Sequence, residues 1–283
     1  MLSKTGKWVF NNTHITNTNS ITFYVSTVTS DKTIWVGTSN GLYSKNIIKS
    51  DTNLSDNKLF EGDIISCIYT DKEDNVLVGT YEKGFFLVKQ NNKKFVTKAN
   101  LHKDKGYNPS INSLQVFNDE SLIYTNNNGI YYCKDYNNLT EGSAVKLKNG
   151  STTVSFLKND NSCFVNDVDS LFEYDNTTKK LNKKLISAAT QYVYQDSEGI
   201  TWIGSWIGVI KGYDKQNNVK HTIILDKFRN IHVFMIVGGE NGSLWLATSG
   251  LGLVHITNPT AKNPTITKYI HNSQQNSVSI NHV

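Results

Sequence analysis

The sequence predicts an all-β fold, a β-propeller of four-stranded antiparallel blades, and three observations carry that prediction. One phrase of about 40 residues recurs six times, a period that belongs to propeller blades. Apolar runs are short and bounded by turn residues, as strands in hairpins require. Only 3 prolines and 19 glycines occur, while Asn, Ser and Thr are abundant, so turn chemistry is plentiful.

The recurring phrase is an apolar strand, a polar turn, a second apolar strand ending in Gly-Thr or its equivalent, then Gly and a third strand. The second strands read Ile34-Trp35-Val36-Gly37-Thr38, Val76-Leu77-Val78-Gly79-Thr80, Leu122-Ile123-Tyr124-Thr125, Cys163-Phe164-Val165-Asn166, Trp202-Ile203-Gly204-Ser205 and Trp245-Leu246-Ala247-Thr248. First strands such as Ile64 to Tyr69, Tyr192 to Gln195 and Val233 to Val237 lead into turns such as Asp71-Lys72-Glu73-Asp74-Asn75 and Asp196-Ser197-Glu198-Gly199. There Asp and Asn bond their own backbone and Gly supplies positive φ. Third strands follow a glycine, as in Asn40-Gly41-Leu42-Tyr43 and Asn128-Gly129-Ile130-Tyr131, and fourth strands carry the faintest pattern because outer strands face solvent. The repeat units run roughly over 20–60, 61–108, 109–149, 150–187, 188–229 and 230–278, with 279–283 opening a further one, so the chain reads as one propeller domain or a portion of a longer, seven-bladed array.

A lone blade cannot bury both faces, whereas stacked blades bury all but their rims. Trp35, Trp202 and Trp245, with Leu77, Leu122 and Phe164 at the matching positions, are therefore expected between blades. In the third and fourth units Asn166, Asp167 and Ser170 stand where others have Thr and Gly, which marks either a site or drift in a redundant scaffold.

Composition narrows the function classes. Hydrophobic residues make up 38% and charged residues 19%, an ordinary packed protein. The net charge of +5 comes from scattered lysines, Arg229 being the only arginine, so no basic patch of the nucleic-acid-binding kind is expected. No segment approaches the roughly 18 apolar residues that would insert into a bilayer. Cys67, Cys133 and Cys163 sit in apolar runs and the histidines show no ligand spacing, so neither metal nor cofactor is expected. No Gly-rich phosphate loop, metalloprotease helix or nucleophile elbow occurs, and no catalytic residue is assigned.

Asp196-Ser197-Glu198-Gly199-Ile200-Thr201-Trp202-Ile203-Gly204-Ser205 and Gly242-Ser243-Leu244-Trp245-Leu246-Ala247-Thr248 resemble the two-component regulator propeller repeat, and Tyr269-Ile270-His271-Asn272 through Ser279-Ile280-Asn281 resembles the linker between such repeats. The resemblance covers nearly the whole chain and is strongest in units one, two, five and six. It implies the periplasmic sensor region of a Bacteroidetes hybrid two-component histidine kinase, recognising oligosaccharides from dietary or host glycans, with a homodimer in the full receptor and a kinase outside this chain. Two other classes stay open: a propeller enzyme acting on polysaccharide in the manner of a lyase, and a protein-binding scaffold.

The ligand is expected where second-to-third-strand loops and inter-blade connections share one rim. Those loops hold Tyr81, Glu82 and Lys83, then Asn126, Asn127 and Asn128, then Asp167 and Asp169, then Trp206, with Arg229, Asn230 and His232 on a connection. An aromatic platform with planar amide, carboxylate and guanidinium groups suits a sugar. Trp206 is the sharpest candidate, because other units carry Ser39, Tyr81, Asn126, Asp167 and Ser249 there and packing of the repeat does not require a tryptophan.

Overall fold

A computed structural model describes residues 21–48, 58–89, 94–98, 110–137, 143–150, 152–167, 170–186, 190–226 and 231–270. Among them are six four-stranded sheets with the blade architecture of a β-propeller. The first blade comprises β1 (Phe23–Val28), β2 (Thr33–Thr38), β3 (Gly41–Asn46) and β4 (Lys58–Leu59), and the second β5 (Ile65–Thr70), β6 (Val76–Thr80), β7 (Phe85–Lys89) and β8 (Lys94–Lys98). The third holds β9 (Ser113–Val116), β10 (Leu122–Asn126), β11 (Gly129–Cys133) and β12 (Ala144–Asn149), and the fourth β13 (Thr152–Asn159), β14 (Ser162–Asp167), β15 (Ser170–Asp175) and β16 (Lys180–Ile186). The fifth holds β17 (Thr190–Gln195), β18 (Thr201–Ser205), β19 (Val209–Tyr213) and β20 (Val219–Ile224), and the sixth β21 (Val233–Gly238), β22 (Leu244–Thr248), β23 (Leu253–Thr257) and β24 (Thr265–Tyr269). In every blade the strands lie in chain order, each hairpin feeding the next.

The chain packs as two compact units, Met1–Val116 with Cys133–Val145 and Phe117–Tyr132 with Lys146–Val283. In the first, Trp35 and Leu42 of the first blade bury against Ile65, Val76, Val78, Phe86 and Val88 of the second. In the other, Trp202 and Ile210 of the fifth blade bury against Ile236, Leu244, Leu246, Val254 and Ile256 of the sixth. Each fully buried aliphatic side chain contributes about 1.5–3 kcal/mol, so these faces stabilise the stacking of one blade on the next.

The glycine of the repeat has a packing reason. A Cβ on Gly204 would lie 2.6 Å from Cγ1 of Val233 on the next blade's first strand, and one on Gly37 would lie 2.6 Å from Cγ2 of Ile65. The missing side chain lets consecutive blades approach. In the fourth blade Asn166 takes this position, and its amide instead donates to the carbonyl of Thr190 on the fifth blade at 3.2 Å. The departure from the repeat there exchanges close approach for a hydrogen bond.

The Asp of the turn is coupled to the tryptophan. Asp196 Oδ1 accepts from the amides of Glu198 and Ile200 at 3.0 and 2.8 Å, while Oδ2 accepts from Trp202 Nε1 at 2.8 Å. In the first blade Thr29 stands six residues before Trp35 in place of an aspartate, and Trp35 Nε1 is buried with no hydrogen-bond partner among the described residues.

Two expectations for the packing positions need correction. Trp35 and Trp202 are buried, but Trp245 is only half-buried. It lies instead against His255 at 4.0 Å and Tyr269 at 5.6 Å between ring centroids. The third-blade residue that corresponds to the tryptophans is Ile123, not Leu122, because Asn126 occupies the turn-closing place of Thr38; both are fully buried.

A polar cluster ties the third blade's first hairpin to the fourth blade's last. Asp119 accepts from Ser121 N at 3.2 Å, Asn176 Nδ2 at 3.0 Å and Lys179 Nζ at 3.0 Å. Desolvation raises its pKa, but the hydrogen bonds from Ser121, Lys179 and Asn176 outweigh it and hold the carboxyl well below its ordinary 3.8. With the folded pKa depressed, the cluster's contribution is present above the unfolded value and lost as pH falls below it toward the folded one. Asp119→Asn is therefore expected to lower the melting temperature at neutral pH and to converge with wild type in acid, as followed by circular dichroism across pH.

The thiols are built in as apolar side chains. Cys133 and Cys163 are buried and all three cysteines are free. Burial pushes the Cys67 thiol up to about 12, and that of Cys163 upward as well.

Candidate functional site

At each loop from second to third strand, one side chain closes the turn. The hydroxyls of Thr38, Thr80 and Thr248 donate to the carbonyls of Gly41, Gly84 and Gly252 at 2.8, 3.1 and 2.8 Å, and Ser205 donates to Val209 at 2.8 Å. In the third blade Asn126 Oδ1 accepts from the amides of Asn128 and Gly129 at 2.8 and 3.0 Å, and in the fourth Asp167 Oδ1 accepts from Ser170 N at 2.7 Å. Asn and Asp thus replace Thr in the same task, by the Asx-turn chemistry of short polar side chains.

The fifth-blade loop exposes two adjacent apolar side chains. Ser205 Oγ gathers the amides of Ile207 and Val209 at 3.3 and 3.0 Å and Gly208 turns at φ +71°, which leaves Trp206 and Ile207 projecting, 44% and 53% exposed. Trp206 lies 5.1 Å from the ring of His232 at 59°, and Phe234 meets that imidazole edge-on at 6.0 Å. His232 is fixed by its backbone: its N–H donates to Ser249 Oγ at 2.9 Å and its carbonyl accepts from Ser249 N at 3.0 Å. An indole, an imidazole and a phenyl ring are thereby brought together beside the β18–β19 loop, an arrangement that can stack on an apolar face and offer one ring nitrogen to a hydroxyl.

Phe234 was not among the sequence candidates. A bulge between Val233 and Met235 inserts it as the extra residue of β21, so Val233 and Ile236 face the core while Phe234 turns out. The same irregularity recurs at Phe23/Val25, Ile65/Cys67, Thr152/Val154 and Thr190/Tyr192. Strict alternation in the sequence cannot show it.

The remaining candidates are placed differently. Asp167, in the same unit as Trp206, forms an ion pair with Lys148 at 2.7 Å, and Lys148 also sits over the Phe172 ring. Asn127 is an exposed member of the β10–β11 turn. In the first unit Lys83 pairs with Asp63 at 2.6 Å beside a cavity of about 100 Å³ lined by Gly62, Ile64, Thr80 and Glu82, and Tyr81 is 45% exposed. Asp169, Arg229 and Asn230 lie outside the described residues. Among the described residues no group of three His, Cys, Asp or Glu is placed to hold a metal ion, and no helix is long and apolar enough to cross a membrane.

No family model matches the sequence, and no curated protein matches it. Solved structures do share the fold. The chain is similar to the extracellular domain of the putative one-component system BT4673 from B. thetaiotaomicron, with a TM-score of 0.68 and 16% identity over 92% of this chain and 35% of that one. It is similar to the extracellular domain of the putative hybrid two-component system BT3049 from the same organism, with a TM-score of 0.67 and 14% identity over 92% and 36%. It is also similar to virginiamycin B lyase from Staphylococcus aureus, solved as an inactive variant with quinupristin, with a TM-score of 0.69 and 14% identity over 90% and 86%. The chain spans about a third of the two sensor domains it resembles, and at these identities the likeness is one of fold.

Proposed function

We propose that this chain is a ligand-sensing propeller segment from the extracytoplasmic region of a hybrid two-component sensor, and that it takes a glycan-derived oligosaccharide on the rim formed by Trp206, His232 and Phe234. The observation that carries the reading is the aromatic group itself: three rings from two blades in contact, Trp206 and Phe234 exposed, with Trp206 on a loop whose equivalents in other blades have no tryptophan. Pyranose rings stack their C–H faces on such platforms while neighbouring polar groups take the hydroxyls. The fold likeness to sensor extracellular domains supports the setting, and the repeat resemblance supports a periplasmic one with signalling passed to a kinase beyond this chain. Calorimetric titration of an oligosaccharide panel tests this. Trp206→Ala is expected to weaken the bound sugar by about tenfold or more with its melting temperature kept, since an exposed aromatic anchor carries about 1.5–3 kcal/mol of binding. Equal affinity in wild type and Trp206→Ala would reject the rim.

A further inference from the structure

Four asparagines are followed directly by glycine: Asn40, Asn128, Asn149 and Asn241. In such a pair the glycine nitrogen, with no Cβ beside it, can reach the side-chain amide carbon of the asparagine, so the backbone is itself a nucleophile toward that carbon. Three of the pairs are held by the fold. Gly41 N donates to the carbonyl of Asp63 at 2.7 Å, and Asn40 Oδ1 accepts from Gly62 N at 3.0 Å. Gly129 N donates to Asn126 Oδ1 at 3.0 Å, and Gly129 is buried against the carbonyl of Lys148. Gly150 N donates to the carbonyl of Asn128 at 3.2 Å. Each of these three nitrogens must first give up a hydrogen bond that holds a strand end in place.

The fourth pair is placed otherwise. Asn241 and Gly242 lie at the exposed tip of the β21–β22 hairpin, in a single 3-10 turn over Glu240–Gly242. Asn241 has φ 54° and ψ 34°, a left-handed conformation that L side chains adopt at a cost, and its side chain has no hydrogen-bond partner among the described residues. Beyond the chain neighbours of Gly242, no described atom would come within 4 Å of a Cβ placed there. Closing a ring between the two residues swings Gly242 N toward Asn241 Cγ and so opens this turn, and a single exposed turn is where local opening costs least. Gly239 N donates to Ser243 O at 2.8 Å and Ser243 N to Glu240 O at 3.1 Å, so both bonds that close the tip span Asn241.

We propose that Asn241 is a self-modification site: the folded chain deamidates there without an enzyme, while the fold protects the other three Asn-Gly pairs. Gly242 N attacks Cγ of Asn241, the new C–N bond closes a succinimide ring, and the side-chain nitrogen leaves as ammonia with the proton that Gly242 N gives up. One water then opens the ring. Opening at the main-chain carbonyl carbon leaves the chain running through Cγ as isoaspartate, and opening at Cγ leaves aspartate; nothing is oxidised or reduced. Either product adds a negative charge beside Glu240. Isoaspartate also lengthens the main chain by a methylene inside the two bonds that close the tip, which loosens the hairpin.

The folded chain is incubated at mildly alkaline pH beside a sample in urea, and both are digested with trypsin over time and mapped by mass spectrometry. In the folded chain the peptide 230–262 is expected to accumulate the deamidated form, mostly as isoaspartate at Asn241, about tenfold faster than the peptides that hold Asn40, Asn128 and Asn149, a preference that urea abolishes. Gly242→Ala, with room for its methyl group, is expected to slow conversion at Asn241 about tenfold because the added Cβ crowds the attacking nitrogen. The proposal fails if Asn241 stays intact in the folded chain while the urea sample converts, or if another of the pairs converts as fast in the folded chain. It fails equally if the preference for Asn241 is the same in urea, or if Gly242→Ala converts as fast as wild type.

Discussion

Trp202→Ala is expected to destabilise the chain by about 3–5 kcal/mol, the largest effect of any single aromatic truncation here. Trp202 is fully buried, its ring lies flat over Gly212, where a Cβ would come within 2.9 Å of it, and its Nε1 bonds Asp196 at 2.8 Å. Truncation opens a cavity between the fifth and sixth blades and strips the aspartate of its indole partner. Trp245→Ala removes the same side chain from a half-exposed face stacked on His255 and Tyr269, and about 1–2 kcal/mol is expected from the smaller area returned to water. Thermal melts of the two variants side by side check this. Equal losses would contradict the half-exposed placement of Trp245.

Gly129→Ala is expected to cost about 3 kcal/mol, combining backbone strain with overpacking. Gly129 has φ +153°, and a Cβ there would stand 2.0 Å from the carbonyl oxygen of Lys148 on the neighbouring strand. The obstacle is backbone, so no side-chain rotation relieves it. Gly242→Ala, at φ +72° with open space around it, should cost only the strain of the left-handed conformation. A chemical denaturation series of both variants separates the two contributions, and a Gly129→Ala variant as stable as Gly242→Ala would show that the β11–β12 edge can part.

The blades were legible because each repeat writes its own hairpins: the Asp turn, the second strand and the glycine before the third strand are all local signals. The function of that second-strand glycine was not local, since what fills its space is Val233 or Ile65 of the following blade. Trp245 was misread for the converse reason, as its repeat position is right but its half-exposure, against the full burial of Trp202, is not written in the repeat. At the candidate site, Trp206 stood out by breaking the repeat and His232 by its place on a connection, and the fold brings these two together. Phe234 was hidden by a bulge, which moves a residue across the sheet without changing its neighbours in sequence. Lys83 and Asp167 were legible as polar loop residues, but their partners Asp63 and Lys148 lie about 20 residues away in the chain, and no local pattern announces such pairs.

The central claim is that the aromatic rim holds a sugar and leaves it unchanged. Its most direct test is a crystal structure of the chain with the tightest oligosaccharide of the titrated panel, with the mother liquor examined by mass spectrometry. The account predicts a pyranose ring lying on the Trp206 indole within reach of His232, and the oligosaccharide recovered intact. A sugar bound elsewhere with Trp206 bare, or an oligosaccharide returned cleaved, would contradict it.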